Sequence, residues 1–202
     1  MKLYDSTIAP NPRRVRMFLA EKGIEVPLEE VDINHAENRK PPFLAKNPMG
    51  TLPVLELDDG TYLAESQAIC HYFEGLHPEP PLIGTTPQQR AIVQMWDRRM
   101  ELEIMLPLLG AFRHSSTFFK GRITQVPEYV EPCRHAAAKR LAWVDEVLAS
   151  REFVAGDGLS LADITLFCTL DFGALVGENY DPKLGNVARW HAAMKERPSA
   201  AA

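Results

Sequence analysis

Three short stretches of the chain hold residue types that can do chemistry together. Ser6, Thr7 and Asn11 crowd the segment that follows the first apolar run and leads into Pro12. Glu65-Ser66 sets a carboxylate beside a hydroxyl at the start of an apolar helical pattern. A serine at a helix N-terminus leaves N–H groups and a hydroxyl facing outward at the positive end of the helix dipole, which suits a carboxylate, while a neighbouring glutamate can pair with an ammonium. The plain alternative is a capped helix beside a solvated glutamate. Between the two, Leu52-Pro53 is an X-Pro bond, nearly the only kind for which cis costs as little as about 0.5–1 kcal/mol, although the residues alone favour a trans proline that opens an edge strand.

Other candidates point to structure. Cys70, Cys133 and Cys168 are odd in number and widely spaced, so they form neither a disulfide framework, a redox pair nor a zinc set, and read as small buried hydrophobes. The six histidines show no metal-ligand spacing. Ser160-x-x-Asp163 has the form of a capping box with aspartate in the glutamate position, and Tyr4 reads as core in the first strand.

The elements that must position these residues change character along the chain. Lys2-Leu3-Tyr4 and Val26–Ile33 read as strands either side of a helix opened by Asn11 at the N-cap and Pro12 at the first helical position, with Val15, Phe18 and Leu19 as its apolar stripe and the arginines largely off it. That is a βαβ unit. Residues 53–57 and 61–64 flank Asp58-Asp59-Gly60 as an antiparallel hairpin, and Ser66 caps a helix through Gly75. Residues 77–86 are rich in proline and glycine and read as a linker. Helical patterns then follow over about 88–112 with a kink at Pro107, 128–150, from Ser160, and 183–197. The expectation is an α/β domain over 1–76 followed by an all-helical domain over 87–202.

Composition fits two unlike halves: 11 of the 16 prolines fall at or before Pro87, and the net charge of −5 lies within residues 1–80, which hold 8 Lys+Arg against 13 Asp+Glu. Such a chain lacks the positive field that draws a protein to nucleic acid or an anionic membrane. It has no apolar run long enough to span a bilayer and no secretion-like start, so a cytoplasmic location is expected.

Taken in order, the N-terminal βαβ, Asn47-Pro48-Met49-Gly50-Thr51-Leu52-Pro53-Val54-Leu55, Glu65-Ser66-Gln67-Ala68-Ile69 and Gly158-Leu159-Ser160-Leu161-Ala162-Asp163-Ile164 resemble the cytosolic glutathione transferases of bacterial type. The resemblance implies a thioredoxin-like first domain that binds glutathione, a helical second domain serving a hydrophobic electrophile, and a homodimer, with no metal. It implies a cis Leu52-Pro53 bond with the Leu52 backbone against the cysteinyl part of glutathione, and Glu65-Ser66 on its γ-glutamyl head. Asn38 and Thr51 fall where relatives contact the glycyl end. Many relatives carry Ser, Thr or Cys two residues before Asn11, and here that residue is Ala9. Thiol activation is left to Asn11 and its helix, with Ser6 and Thr7 earlier in the loop. The resemblance implies conjugation of the glutathione thiolate to an electrophile. Alternatives are disulfide or peroxide reduction with two glutathiones, and a noncatalytic interaction module of the same fold.

Overall fold

A computed structural model describes all 202 residues. Two compact units emerge, one made of residues 1–82 together with 198–202, the other of residues 83–197.

In the first unit, β1 (Lys2–Asp5), α1 (Pro10–Glu21) and β2 (Leu28–Glu30) form the βαβ unit, with β1 and β2 parallel. A short helix α2 (Pro41–Leu44), not expected from periodicity because four residues carry none, precedes β3 (Val54–Glu56) and β4 (Tyr62–Ala64). The strand order is β2-β1-β3-β4, with β3 antiparallel to both neighbours, and α3 (Ser66–Leu76) follows. Alternation along β1 divides the core. Tyr4 joins Val31, Val54 and Phe43 of α2 in one cluster, and its hydroxyl donates to Glu56 at 2.6 Å. Leu3 lies on the opposite face, fully buried like Leu55 beside it in β3.

Helix α1 starts two residues earlier than the sequence suggests. Ala9 is the N-cap, Pro10 takes the first helical position, and Asn11 lies inside the first turn. Proline's fixed φ suits that first position, and Pro10 claims it before Pro12 can. Similarly, Ser66 is the first residue of α3 and Glu65 is its N-cap, held at φ 70° and ψ 115°. Both peptides Leu52-Pro53 and Glu79-Pro80 are cis. At the far end of α1, the buried Lys22 ammonium pairs with Glu74 at 2.7 Å and donates to the carbonyls of His77 and Pro80. The final turn, Pro198–Ala201, lies on α1: Arg13 Nη2 donates to the Ala200 carbonyl at 2.8 Å, and the Ser199 hydroxyl donates to Glu21. Residues 198–202 therefore depart from the 87–202 boundary drawn above.

The second unit is helical throughout: α4 (Pro87–Met100), α5 (Leu106–Ser115), α6 (Val130–Leu148), α7 (Leu161–Val176) and α8 (Gly185–Lys195). Between α4 and α5, Glu101–Met105 forms a π-helical segment. Pro107 has no N–H and its ring crowds the carbonyl a turn earlier, so the widened turn, rather than a break, absorbs it. Trp96 and Trp143 stack at 5.2 Å with the Arg99 guanidinium over both. Helix α7 runs through the middle, with Leu161 to Leu170 all buried. No helix is long and apolar enough to cross a membrane.

The hub of this unit is Asp163, fully buried at the start of α7. Its Oδ1 accepts from the Val154 N–H (2.8 Å) and Trp190 Nε1 (3.1 Å), and its Oδ2 from the Ser160 N–H (3.1 Å) and hydroxyl (2.8 Å). Burial pushes its carboxyl up to about 6, against the pull of those donors. An acid whose folded pKa exceeds its ordinary value near 4 binds its proton more tightly folded than unfolded, so its contribution to stability falls as pH rises from about 4 to about 6 and is level above. Asp163→Asn removes that titration. Urea denaturation should show the margin of wild type over the variant narrowing across that window, and a margin that widens would contradict the assignment.

Candidate active site

The strand register gathers most of the candidate residues. Tyr4 lies opposite Val54, and Val54 opposite Ala64. The chain leaving β1 (Asp5, Ser6, Thr7), the chain entering β3 (Leu52, Pro53) and the chain leaving β4 (Glu65, Ser66) therefore all emerge at one edge of the sheet. Neighbouring strands are ~4.8 Å apart, so these three exits span about 10 Å.

The loop after β1 is held from below. Arg16 Nη1 reaches both oxygens of the buried Asp5 carboxylate at 2.6 and 2.7 Å and lies 3.5 Å from the Ser6 carbonyl, while its Nη2 donates to the Thr7 carbonyl. The Thr7 N–H is shared between the two Glu30 oxygens. Thr7 is exposed, whereas Ser6 is buried and its hydroxyl has no partner. The Ala9 N–H donates back to the Ser6 carbonyl, turning the chain into α1.

That helix start is unusual in its donors. A helix normally leaves its first four N–H groups unsatisfied. Pro10 and Pro12 have none, and the Arg13 N–H already donates to the Ala9 carbonyl. Asn11 thus supplies the one remaining N–H of the first turn, next to its own half-buried side-chain amide. Asn11 does not cap, contrary to expectation, because its backbone is already helical.

Ser66 differs from expectation too. It is 5% exposed, and its Oγ accepts from Arg14 Nη1 at 2.9 Å. Arg14, fully buried, escaped the sequence reading, which placed the arginines of α1 off its apolar stripe. The signal was available: Arg14 stands four residues before the buried Phe18, on the same face of the helix. Glu65 is exposed, and a non-glycine residue at φ 70° costs of order 1–3 kcal/mol unless its surroundings impose it, a pattern that clusters at functional sites.

Asn38 and Thr51 serve the neighbouring loop in this structure. Asn38 Nδ2 donates to the Gly50 carbonyl at 2.7 Å, and Arg39 Nη1 to the Met49 carbonyl at 3.0 Å. Asn47 Nδ2 donates to both the carbonyl (2.9 Å) and the hydroxyl (3.0 Å) of Thr51. Gly50 has φ 61°, and a Cβ there would come within 2.8 Å of the Asn38 carbonyl.

In the second unit, Met100 and Ile104 are fully buried. Phe112 is half-buried, edge-on to Phe119 and Phe172, and Phe118 meets Phe119 in the same way. His114 Nδ1 accepts from the Val126 N–H.

With this edge in view, residues 3–81 match the model of the glutathione S-transferase N-terminal domain and residues 99–198 that of the C-terminal domain. Glutathione S-transferase 2 of Saccharomyces cerevisiae is 39% identical over 98% of this chain and 87% of its own length. The chain belongs to the glutathione S-transferase family. The crystal structure of Gtt2 from S. cerevisiae superposes with a TM-score of 0.95 at 38% identity, covering 100% of this chain and 99% of that one. Maleylacetoacetate isomerase of Pseudomonas aeruginosa is 30% identical over 96% of this chain and 92% of its length. As in other glutathione S-transferases, a thioredoxin-like unit is joined to a helical one.

Gly50→Ala should destabilise the protein by about 1–3 kcal/mol, since the left-handed backbone and the close carbonyl both oppose a Cβ. Asn38→Ala, which removes the bond to Gly50, should cost about 1 kcal/mol. Denaturant titration checks both, and a neutral Gly50→Ala would contradict the close approach.

Proposed function

We propose that this glutathione S-transferase conjugates the thiolate of glutathione to a small, hydrophobic electrophile. The observation that supports the reading is the single sheet edge at which the chain leaving β1 toward Asn11, the chain entering β3 through Leu52-Pro53 and the chain leaving β4 into Glu65-Ser66 emerge. Its width of about 10 Å matches three residues of extended peptide at ~3.3–3.6 Å each. The γ-glutamyl carboxylate would lie at the start of α3 on Ser66, the ammonium on Glu65, and the cysteinyl backbone against Leu52 like an added strand. Asn38 and Thr51 would bound the glycyl end.

Activation of the thiol falls to Asn11. A free thiol has a pKa near 8.5, and a donor or a helix N-terminus lowers it. Ala9 offers neither hydroxyl nor thiol, so attack through an enzyme cysteine is not the route. The Asn11 N–H and amide, at the positive end of α1, suit a sulfur anion. Ser6, whose buried hydroxyl has no partner, is the next donor along the loop. Holding both substrates together supplies the rest of the acceleration. We propose further that the protein works as a cytoplasmic homodimer. Ile92, Met95, Leu102 and Leu106, all exposed and spaced by three, seven and four residues along α4 and its continuation, offer an apolar stripe to a second copy.

Calorimetry should show glutathione binding at submillimolar concentration, and no binding at millimolar ligand would overturn the reading. Turnover should be faster with an activated halo-aromatic than with a small organic disulfide; the reverse order would make the enzyme a reductase. Asn11→Ala should raise the thiol pKa of bound glutathione, read from thiolate absorbance against pH, and lower kcat/KM about tenfold. An unchanged titration would remove Asn11 from the sulfur.

A further inference from the structure

We propose that Arg14 is a positioning residue that dictates the direction of the Ser66 hydroxyl proton, and through it makes the site select a ligand with an α-carboxylate at its glutamyl end. The inference rests on the placement of the γ-glutamyl head at Ser66.

A guanidinium has five donors and no acceptor. When Arg14 Nη1 donates to Ser66 Oγ at 2.9 Å, the hydroxyl is obliged to accept there, and its one proton must go elsewhere. Serine at a helix start otherwise has a choice, since its hydroxyl can turn and spend the proton on a nearby backbone carbonyl. Arg14 removes much of that freedom. It also polarises the hydroxyl, because a hydrogen bond from a charged donor strengthens the acceptor's own donation.

The charge is placed as deliberately as the proton. Arg14 is 0% exposed, and burying a cation is costly. It touches the first residue of α3, where the helix dipole is already positive. The directed hydroxyl proton and the helix start meet at Ser66, which favours a carboxylate there over an ammonium or a neutral amide N–H. Glu65, one residue back and exposed, supplies the opposite charge. An amino-acid head is thereby read in one orientation.

The test uses the whole protein and two ligands, glutathione and γ-aminobutyryl-cysteinyl-glycine, in which hydrogen replaces the γ-glutamyl α-carboxylate. Wild type should bind glutathione about 10–100-fold more tightly than the analogue by calorimetry. Ser66→Ala and Arg14→Gln should each collapse that ratio to about threefold or less, with affinity for the analogue little changed. The double variant should lose little beyond either single one, since both remove the same directed proton. In both single variants the KM for glutathione should rise by a larger factor than kcat falls, because the lost interaction is one of binding. Arg14→Met, apolar and of similar length, serves if Arg14→Gln does not fold; if neither folds, Arg14 is a structural residue and the inference falls. It falls equally if wild type binds both ligands alike, if the Arg14 variants keep the wild-type ratio, or if the two losses add. Binding of neither ligand by wild type would instead overturn the glutathione reading itself.

Discussion

The site depends on one register, the row that sets Tyr4 beside Val54 and Val54 beside Ala64. Slipping any of these strands by one residue would exchange its two faces and move its exit along the edge. Tyr4 would leave the cluster with Phe43 and Val31, and Leu3 would lose its buried place on the other face. Core packing therefore enforces the alignment that brings Asp5, Pro53 and Glu65 level with one another. No residue of that row needs to touch a substrate to decide where a substrate can lie.

Charge is arranged on two levels in the first unit. Its sequence is acidic overall, yet three cations of α1 and its cap, Arg14, Arg16 and Lys22, have little or no exposed side chain. Each is committed to a fixed partner: Ser66, Asp5, and the Glu74–Pro80 segment. Arg14 and Arg16 thus hold the start of α1 beneath the site edge, and Lys22 holds its far end. A ligand with one carboxylate too few loses little at long range and much at contact, where buried charge is poorly screened.

Much of this was legible in the amino-acid order. The βαβ unit, the hairpin around Asp58-Asp59-Gly60 and the long helices follow from periodicity and turn residues, and Ser160-x-x-Asp163 marked the start of α7. The misses share a physical cause: local signals compete within one or two positions. Asn11-Pro12 and Pro10 both start helices well, and the earlier proline prevails. Ser66 looks like a cap, but Glu65 takes that place in a backbone conformation that glutamate rarely adopts, which no residue preference foretells. Arg14 is hard to place from sequence because a charged side chain signals a solvent-facing position, although its spacing from Phe18 puts it on the buried stripe. Asn38 and Thr51 were legible as polar loop residues, while their use in pinning Gly50 and the turn at Asn47 required the folded loop.

The turn at Pro198–Ala201 lies against α1 through Arg13 and Glu21, so the first unit is completed by residues that follow the whole helical unit in sequence. On the ribosome, α1 emerges early, but the strip of it around Arg13 and Glu21 waits uncovered until the entire helical unit has been synthesised. The two units cannot then mature in strict succession. Completion of the first becomes a report that the second has been made.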